Sequence, residues 1–175
     1  MIYDCFLYYD EDMLLDIRLH TLADVVDRFV IVEATHSFTG IPRELHFDIT
    51  KFAKFKDKII YVPFDAQPIL NRADNNQVDA WANEAALRNS IMNGLKDAAD
   101  DDLILVSDVD EIFSPDTVRA INPRALCTTI HQNVFNYQFN LQVHNTDGTP
   151  REGANKRGNS SRLTQSFHFF MFEPI

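Results

Sequence analysis

The sequence predicts an α/β fold, a mainly parallel sheet flanked by helices, and three observations carry that expectation. Short apolar runs alternate with amphipathic stretches in the order strand, helix, strand, strand, helix, strand. The run from Leu103 is bracketed by Asp100, Asp101 and Asp102 before it and by Asp108, Asp110 and Glu111 after it. That is the pattern of a short strand buried on both faces, with acids where the chain leaves the core. Those last three carboxylates fall beyond the carboxyl end of a strand, where open α/β sheets bind ligands.

Ile2 to Tyr9 reads as the first strand, and Asp10 opens a helix with Met13, Leu14, Ile17 and Leu22 at helical spacing. Phe29 to Val32 is a second strand ending at Glu33. A loop follows from Ala34 to Pro42, and Ile59 to Phe64 is a third strand. Asp65 to Asn76 is polar, contains Pro68 and reads as a loop over the site face. Val78 to Ala98 is the longest predicted helix, with Leu87, Ile91 and Leu95 on one stripe, and Trp81 is expected on its core side. Ser114-Pro115-Asp116 combines a capping hydroxyl, a proline at the first helical position and an acid in the first turn, so a brief helix runs from there to Asn122-Pro123. Phe135 to His144 alternates apolar and amide residues as one half-buried strand, Asn145 to Gln165 reads as a long loop, and Phe167 to Phe172 as a last strand.

The chain has 175 residues, 45% of them hydrophobic and 24% charged, which suits a single globular domain with a substantial core. A formal net charge of −10 argues against a nucleic-acid partner, whose phosphates need clustered Lys and Arg. Cys5 and Cys127 have no paired spacing and read as buried free thiols. Met1 to Tyr9 lacks the basic start and long apolar run of a signal peptide, and no membrane segment is evident, so the chain as it stands reads as cytoplasmic.

Asp108 and Asp110, two apart at a strand end, can grip one hard divalent cation through oxygen ligands; a solvated acidic turn is the plainer alternative. A calcium-binding helix-loop-helix does not fit, because that loop needs a third oxygen ligand and then Gly where Ile112 and Phe113 stand. Glu84 and Arg88, four apart on the long helix, are placed to make a surface ion pair. His36, His131, His144 and His168 have no metal-ligand spacing, and no Gly-rich phosphate loop is present.

Several collinear segments together resemble glycosyltransferase family 17, the β-1,4-mannosyl-glycoprotein β-1,4-N-acetylglucosaminyltransferase-like enzymes. They are Ile2-Tyr3-Asp4-Cys5-Phe6 with the helix after it, Phe29 to Thr35, Phe38-Thr39-Gly40, the helix bearing Trp81, Glu84, Arg88 and Asn89, and Ser107 to Ile112. The resemblance covers residues 2–121. It implies a nucleotide-sugar-binding fold of the type called GT-A, with a donor-binding part over 1–121 and acceptor-side strands and loop over 122–175. It also implies Mn²⁺ or Mg²⁺ held by Asp108 and Asp110, with Asp110 the more direct ligand and Asp108 meeting ribose or metal. Glu33, Thr35, Thr39, Gly40, Glu84, Arg88 and Asp108 are the implied donor contacts, with Arg88 meeting a phosphate as the alternative to its surface ion pair, Arg43 a further candidate cation for the phosphates, and Glu111 an outer partner of the metal ligands. The implied reaction is inverting transfer of N-acetylglucosamine from UDP-N-acetylglucosamine to a sugar hydroxyl in β-1,4 linkage, with a glycan or other sugar as acceptor.

An inverting transfer needs a general base beside the acceptor hydroxyl. Asp147, Glu152 and Glu173 are the acids available late in the chain, and no spacing selects among them. Two rival readings remain open. A haloacid-dehalogenase-like phosphatase also uses Asp-any-Asp after an apolar strand, but wants it on the first strand, with a small or hydroxyl residue where Ile112 sits. A non-catalytic nucleotide-sugar-binding protein would keep the donor site without turnover.

Overall fold

The computed structural model describes residues 1–71, 75, 77–123, 125, 127–133, 135 and 142–151, and the backbone of 161–165. In chain order the elements are β1 (Ile2–Leu7), α1 (Asp12–Leu22), β2 (Arg28–Ala34), β3 (Ile59–Phe64), β4 (Leu70–Asn71), β5 (Gln77–Val78), α2 (Ala80–Asn89), β6 (Leu103–Val106), α3 (Pro115–Ala120), β7 (Cys127–Ile130) and β8 (Ser161–Gln165). Tight 3₁₀ turns occupy Ile49–Phe55 and Ser90–Gly94. The main sheet has the order β3-β2-β1-β6-β8-β7. Its first four members are parallel, with Cys5 of β1 opposite Val30 on one side and Val106 on the other. β8 runs antiparallel to both β6 and β7, so the sheet is mixed at that edge.

Side chains alternate across β2 and are buried on both sides, which is why its sequence is an unbroken apolar run. Phe29 and Ile31 meet α1, the 49–55 turns and α3 through Leu15, Leu19, Leu22, Phe52, Phe55 and Val118. Val30 and Val32 meet α2 and the turns after it through Leu87, Ile91 and Leu95. Gly94 lies so close to β2 that a Cβ there would stand 2.4 Å from a methyl of Val30, so only a glycine lets the backbone approach this near. No helix among the described residues is long and apolar enough to cross a membrane.

Several sequence expectations need correction. The long helix expected over Val78–Ala98 starts instead at its Asp79 cap, whose carboxylate accepts the Ala82 N–H, and its α-helical part ends at Asn89. Val78, expected to open that helix, instead pairs with Leu70 in the β4–β5 hairpin, whose β4 strand falls in the stretch expected to be loop. On α1 the buried stripe is Leu15, Arg18, Leu19 and Leu22, while Met13 and Ile17 are exposed. The helix is rotated so as to bury an arginine, which apolar periodicity alone would turn outward. Phe135 forms an antiparallel bridge with Gln142, so these two residues do not belong to one continuous strand. A single strand would set residues seven apart at roughly 23 Å. β8 falls in the stretch expected to be loop, and β7 was not foreseen. Cys5 is buried as expected, whereas Cys127 is exposed. The expected strand Phe167 to Phe172 lies outside the described residues. The helix start at Ser114 matches the expectation: its hydroxyl accepts the Thr117 N–H and Pro115 opens α3.

Candidate functional site

The parallel strands end along one edge, and β6 leaves it through a turn in which the Glu111 N–H donates to the Asp108 carbonyl at 3.0 Å. The Glu111 carboxylate returns to accept the Asp108 N–H, also at 3.0 Å. Val109 is buried beneath this turn, and the acids on either side of it face outward, Asp108 partly exposed and Asp110 exposed. One hydrophobic anchor thus presents two carboxylates side by side. Burial pushes the Glu111 carboxyl up; the Asp108 N–H opposes that, and the charges of Asp108 and Asp110 add to it.

The turn is pinned from below by Arg18, a residue that strand and helix patterns gave no reason to select. Its Nε and Nη2 donate to the two Asp4 oxygens at 2.8 and 2.7 Å, a bidentate pair with both side chains fully buried. Nη2 also donates to the Ser107 hydroxyl at 2.6 Å, and Nη1 to the carbonyls of Asp108, Val109 and Glu111 at 2.6, 3.2 and 3.3 Å. The Phe6 ring lies 4.4 Å below the guanidinium carbon. Arginine suits this place because its fork can satisfy a carboxylate and a ring of carbonyls together. Two signals could have revealed it: an acid inside the apolar strand Ile2–Leu7, and a base on the buried stripe of α1.

Arg88 reaches the same turn from α2. Its Nη2 donates to Asp108 at 2.7 Å and its Nε to Glu84 at 3.1 Å. The Arg88 side chain is 26% exposed and that of Asp108 35%. Burial works against the Arg88 charge, but Asp108 and Glu84 outweigh it and hold the guanidinium above its ordinary value. Three of the residues the sequence singled out, Glu84, Arg88 and Asp108, therefore form one chain, with Asp110 beside it on the turn.

The remaining expected donor contacts lie along the β2 and β3 ends. Glu33 is buried, and its carboxylate accepts from Arg43 at 3.0 Å, the His46 and Phe47 N–H groups at 2.7 and 3.0 Å, and the Tyr61 hydroxyl at 2.8 Å. It anchors the 43–47 segment, so any effect of Glu33 on a ligand passes through that segment. Arg43, a candidate phosphate cation by sequence, is folded back onto Glu33, the Ala34 carbonyl and the Tyr9 carbonyl, with its guanidinium 3.8 Å over the Tyr9 ring. Thr35 donates to Asp65 at 2.9 Å across the ends of β2 and β3. Thr39 bonds the Ser37 hydroxyl at 3.0 Å, and Gly40 turns the loop with φ +79° while packing against Val78. Asn83, buried on α2, clasps this loop to the hairpin: its amide donates to the Phe38 carbonyl at 3.1 Å and accepts the Ile69 N–H at 2.7 Å.

Trp81 overturns its expectation. It is 76% exposed, not part of the core. His36 is buried, with its Nδ1 3.0 Å from the Ser37 carbonyl. Of the acids offered as general bases, Asp147 sits in a turn where the Thr149 hydroxyl and N–H hold its carboxyl below the usual range. Glu152 and Glu173 lie outside the described residues.

The sequence profile of glycosyltransferase family 17 matches residues 1–161. The chain belongs to glycosyltransferase family 17. That match runs past the residue 121 boundary of the resemblance read from motifs, and takes in β7. Over 109 residues, 60% of this chain, it is 34% identical to the beta-1,4-mannosyl-glycoprotein 4-beta-N-acetylglucosaminyltransferases of Homo sapiens and Rattus norvegicus, and 33% to that of Mus musculus. The matched part is 20% of each of those proteins, so the chain aligns with about a fifth of their length. Among solved structures, the 2-C-methyl-D-erythritol 4-phosphate cytidylyltransferase of Francisella tularensis superposes with a TM-score of 0.48 at 11% identity, over 94% of this chain and 72% of that one.

In this family 17 chain the strand-end turn offers hard oxygen donors in a small space. Among the described residues no ready group of three metal-ligating side chains exists. Two carboxylates still fit a cation of the magnesium type, which commonly binds through one or two of them and completes its shell with water and substrate phosphate.

Proposed function

We propose that this chain carries the donor-binding part of a GT-A-type glycosyltransferase that transfers N-acetylglucosamine, with inversion and in β-1,4 linkage, from UDP-N-acetylglucosamine to a sugar hydroxyl. The observation that carries the reading is the Asp108–Glu111 turn: two outward acids over a buried Val109, at the carboxyl edge of a parallel sheet, with Arg88 in contact. Family membership and the names of the matched relatives support the sugar and the linkage.

Asp110 and Asp108 would hold Mn²⁺ or Mg²⁺, and when bound the cation offsets the charge that builds on the departing diphosphate. Asp110 is the freer ligand, since Asp108 already accepts from Arg88. Among the described residues Arg88 engages protein through Nε and Nη2, and Nη1 would meet a donor phosphate oxygen. Glu111 and Arg18 keep the turn in shape so that both acids stay on the solvent side. Thr35, Thr39 and Gly40 border the sheet edge where the nucleoside would lie. Thr149 holds Asp147 as an ionised, weakly basic carboxylate, which suits a turn better than proton abstraction.

The test is UDP release from UDP-N-acetylglucosamine with a soluble β-mannoside as acceptor. Release that needs Mn²⁺ or Mg²⁺, stops with chelator and is lost in Asp110→Ala is the expected result. Turnover of an aryl phosphate that vanishes in Asp108→Asn would instead favour the phosphatase reading, which the placement of the motif after β6, the fourth of the parallel strands, already disfavours.

A further inference from the structure

We infer that Trp81 is a stacking platform for the acceptor saccharide, an inference that rests on the proposed transferase reading. On α2, positions 81, 84 and 88 are separated by three and four residues, so Trp81, Glu84 and Arg88 share one stripe. Arg88 touches Asp108 at the foot of that stripe. Trp81 stands two turns further along, roughly 10 Å away. That span is longer than one pyranose ring, so a sugar attached to a diphosphate at Arg88 ends short of the indole, and the next ring is the one that meets it.

Among the described residues nothing in the packing explains Trp81. The core side of α2 is filled by Asn83 and Leu87, and the indole is 76% exposed. The loop and hairpin that Asn83 ties to α2 expose apolar side chains as well, Phe38 and Ile41 on the loop and Ile69, Leu70 and Val78 at the hairpin. A patch of that kind on a soluble surface marks a contact site. Asn83 fixes its geometry by tying the loop, the hairpin and the helix together. Glu84, next on the stripe and partly exposed, supplies an acceptor for a sugar hydroxyl beside the ring face. An aromatic plane with a carboxylate at its edge, continuous with a diphosphate grip, suits a neutral saccharide better than an apolar peptide.

Trp81 is the chain's sole tryptophan, so its emission reports on this site directly. The protein is titrated with methyl β-mannoside and N,N′-diacetylchitobiose, and separately with UDP plus Mn²⁺. Saturation-transfer NMR then follows the same saccharides on wild type, Trp81→Ala and Trp81→Phe. The expected result is a saturable emission change with at least one saccharide, a weakening of about tenfold in Trp81→Ala, and partial recovery in Trp81→Phe. UDP binding stays within about twofold in both variants. Because the residue is exposed, both variants should fold, which circular dichroism checks. Emission unmoved by either saccharide while UDP and Mn²⁺ bind overturns the proposal and spares the donor site. A saccharide response without UDP binding sustains the platform and removes the transferase reading. Concentration-dependent self-association abolished by Trp81→Ala, with saccharides inert, assigns the face to a second copy and also overturns it.

Discussion

Two arginines hold the same acidic turn from opposite faces of the sheet, and they differ in almost every physical respect. Arg18, on the α1 side, is fully buried and directs its fork at Asp4, Ser107 and three carbonyls of the turn. Arg88, on the α2 side, is partly exposed and holds two carboxylates that are themselves partly exposed. A buried cation with saturated donors cannot turn to a ligand without leaving a charge and several carbonyls unsatisfied. A half-exposed one can exchange a carboxylate for a phosphate at little cost. The α1 side therefore builds the turn, and the α2 side is the one that under the proposed function would engage a ligand.

The largest expected effect is on the builder. Arg18→Ala strands the buried Asp4 carboxylate and should cost about 3–5 kcal/mol, read from denaturant unfolding. The double substitution Asp4→Leu with Arg18→Leu removes the stranded charge and should recover much of that loss. It removes the Arg18 donor from the carbonyls of residues 108, 109 and 111, so UDP affinity in Mn²⁺ should remain depressed. Full recovery of both quantities would show that the clamp has no bearing on the site.

Arg88→Ala should show the opposite profile: a stability change below about 1 kcal/mol, because the pair is partly solvated, and a loss of about tenfold in UDP affinity. Equal losses of stability in Arg18→Ala and Arg88→Ala would erase the distinction between the two faces.

The smallest expected effect lies on the outer end of the α1 face, where Lys51 and then the Tyr8 hydroxyl hold the Asp12 carboxyl below its ordinary value. A carboxyl lowered in the folded state stabilises above its unfolded pKa, and that contribution fades as pH falls through the folded one. Asp12→Asn should therefore slightly flatten the acid limb of the stability profile and leave UDP binding unchanged.

The parallel sheet was legible because its strands are buried on both faces and read as unbroken apolar runs, as in Phe29–Val32. The acidic turn was legible because charges at the end of such a run are conspicuous. Arg18 was not, because a buried arginine breaks the periodicity that finds helix faces, and its partner Asp4 lies fourteen residues away on another element. Trp81 was misplaced for a related reason: an aromatic residue on an amphipathic helix suggests core, and only the cap at Asp79 and the burial of Asn83 settle which face it joins. Glu33 was correctly placed at a strand end, yet the donors that engage it come from a loop with no regular pattern.

The central claim is that Asp108 and Asp110 form the cation-dependent grip on a nucleotide diphosphate. Calorimetric titration of UDP, with and without Mn²⁺, on the native chain and on Asp110→Ala tests it most directly. The account predicts binding that Mn²⁺ strengthens at least about tenfold in the native chain, with that gain erased in Asp110→Ala. UDP binding that is absent, or that is indifferent to both the metal and the substitution, would contradict it.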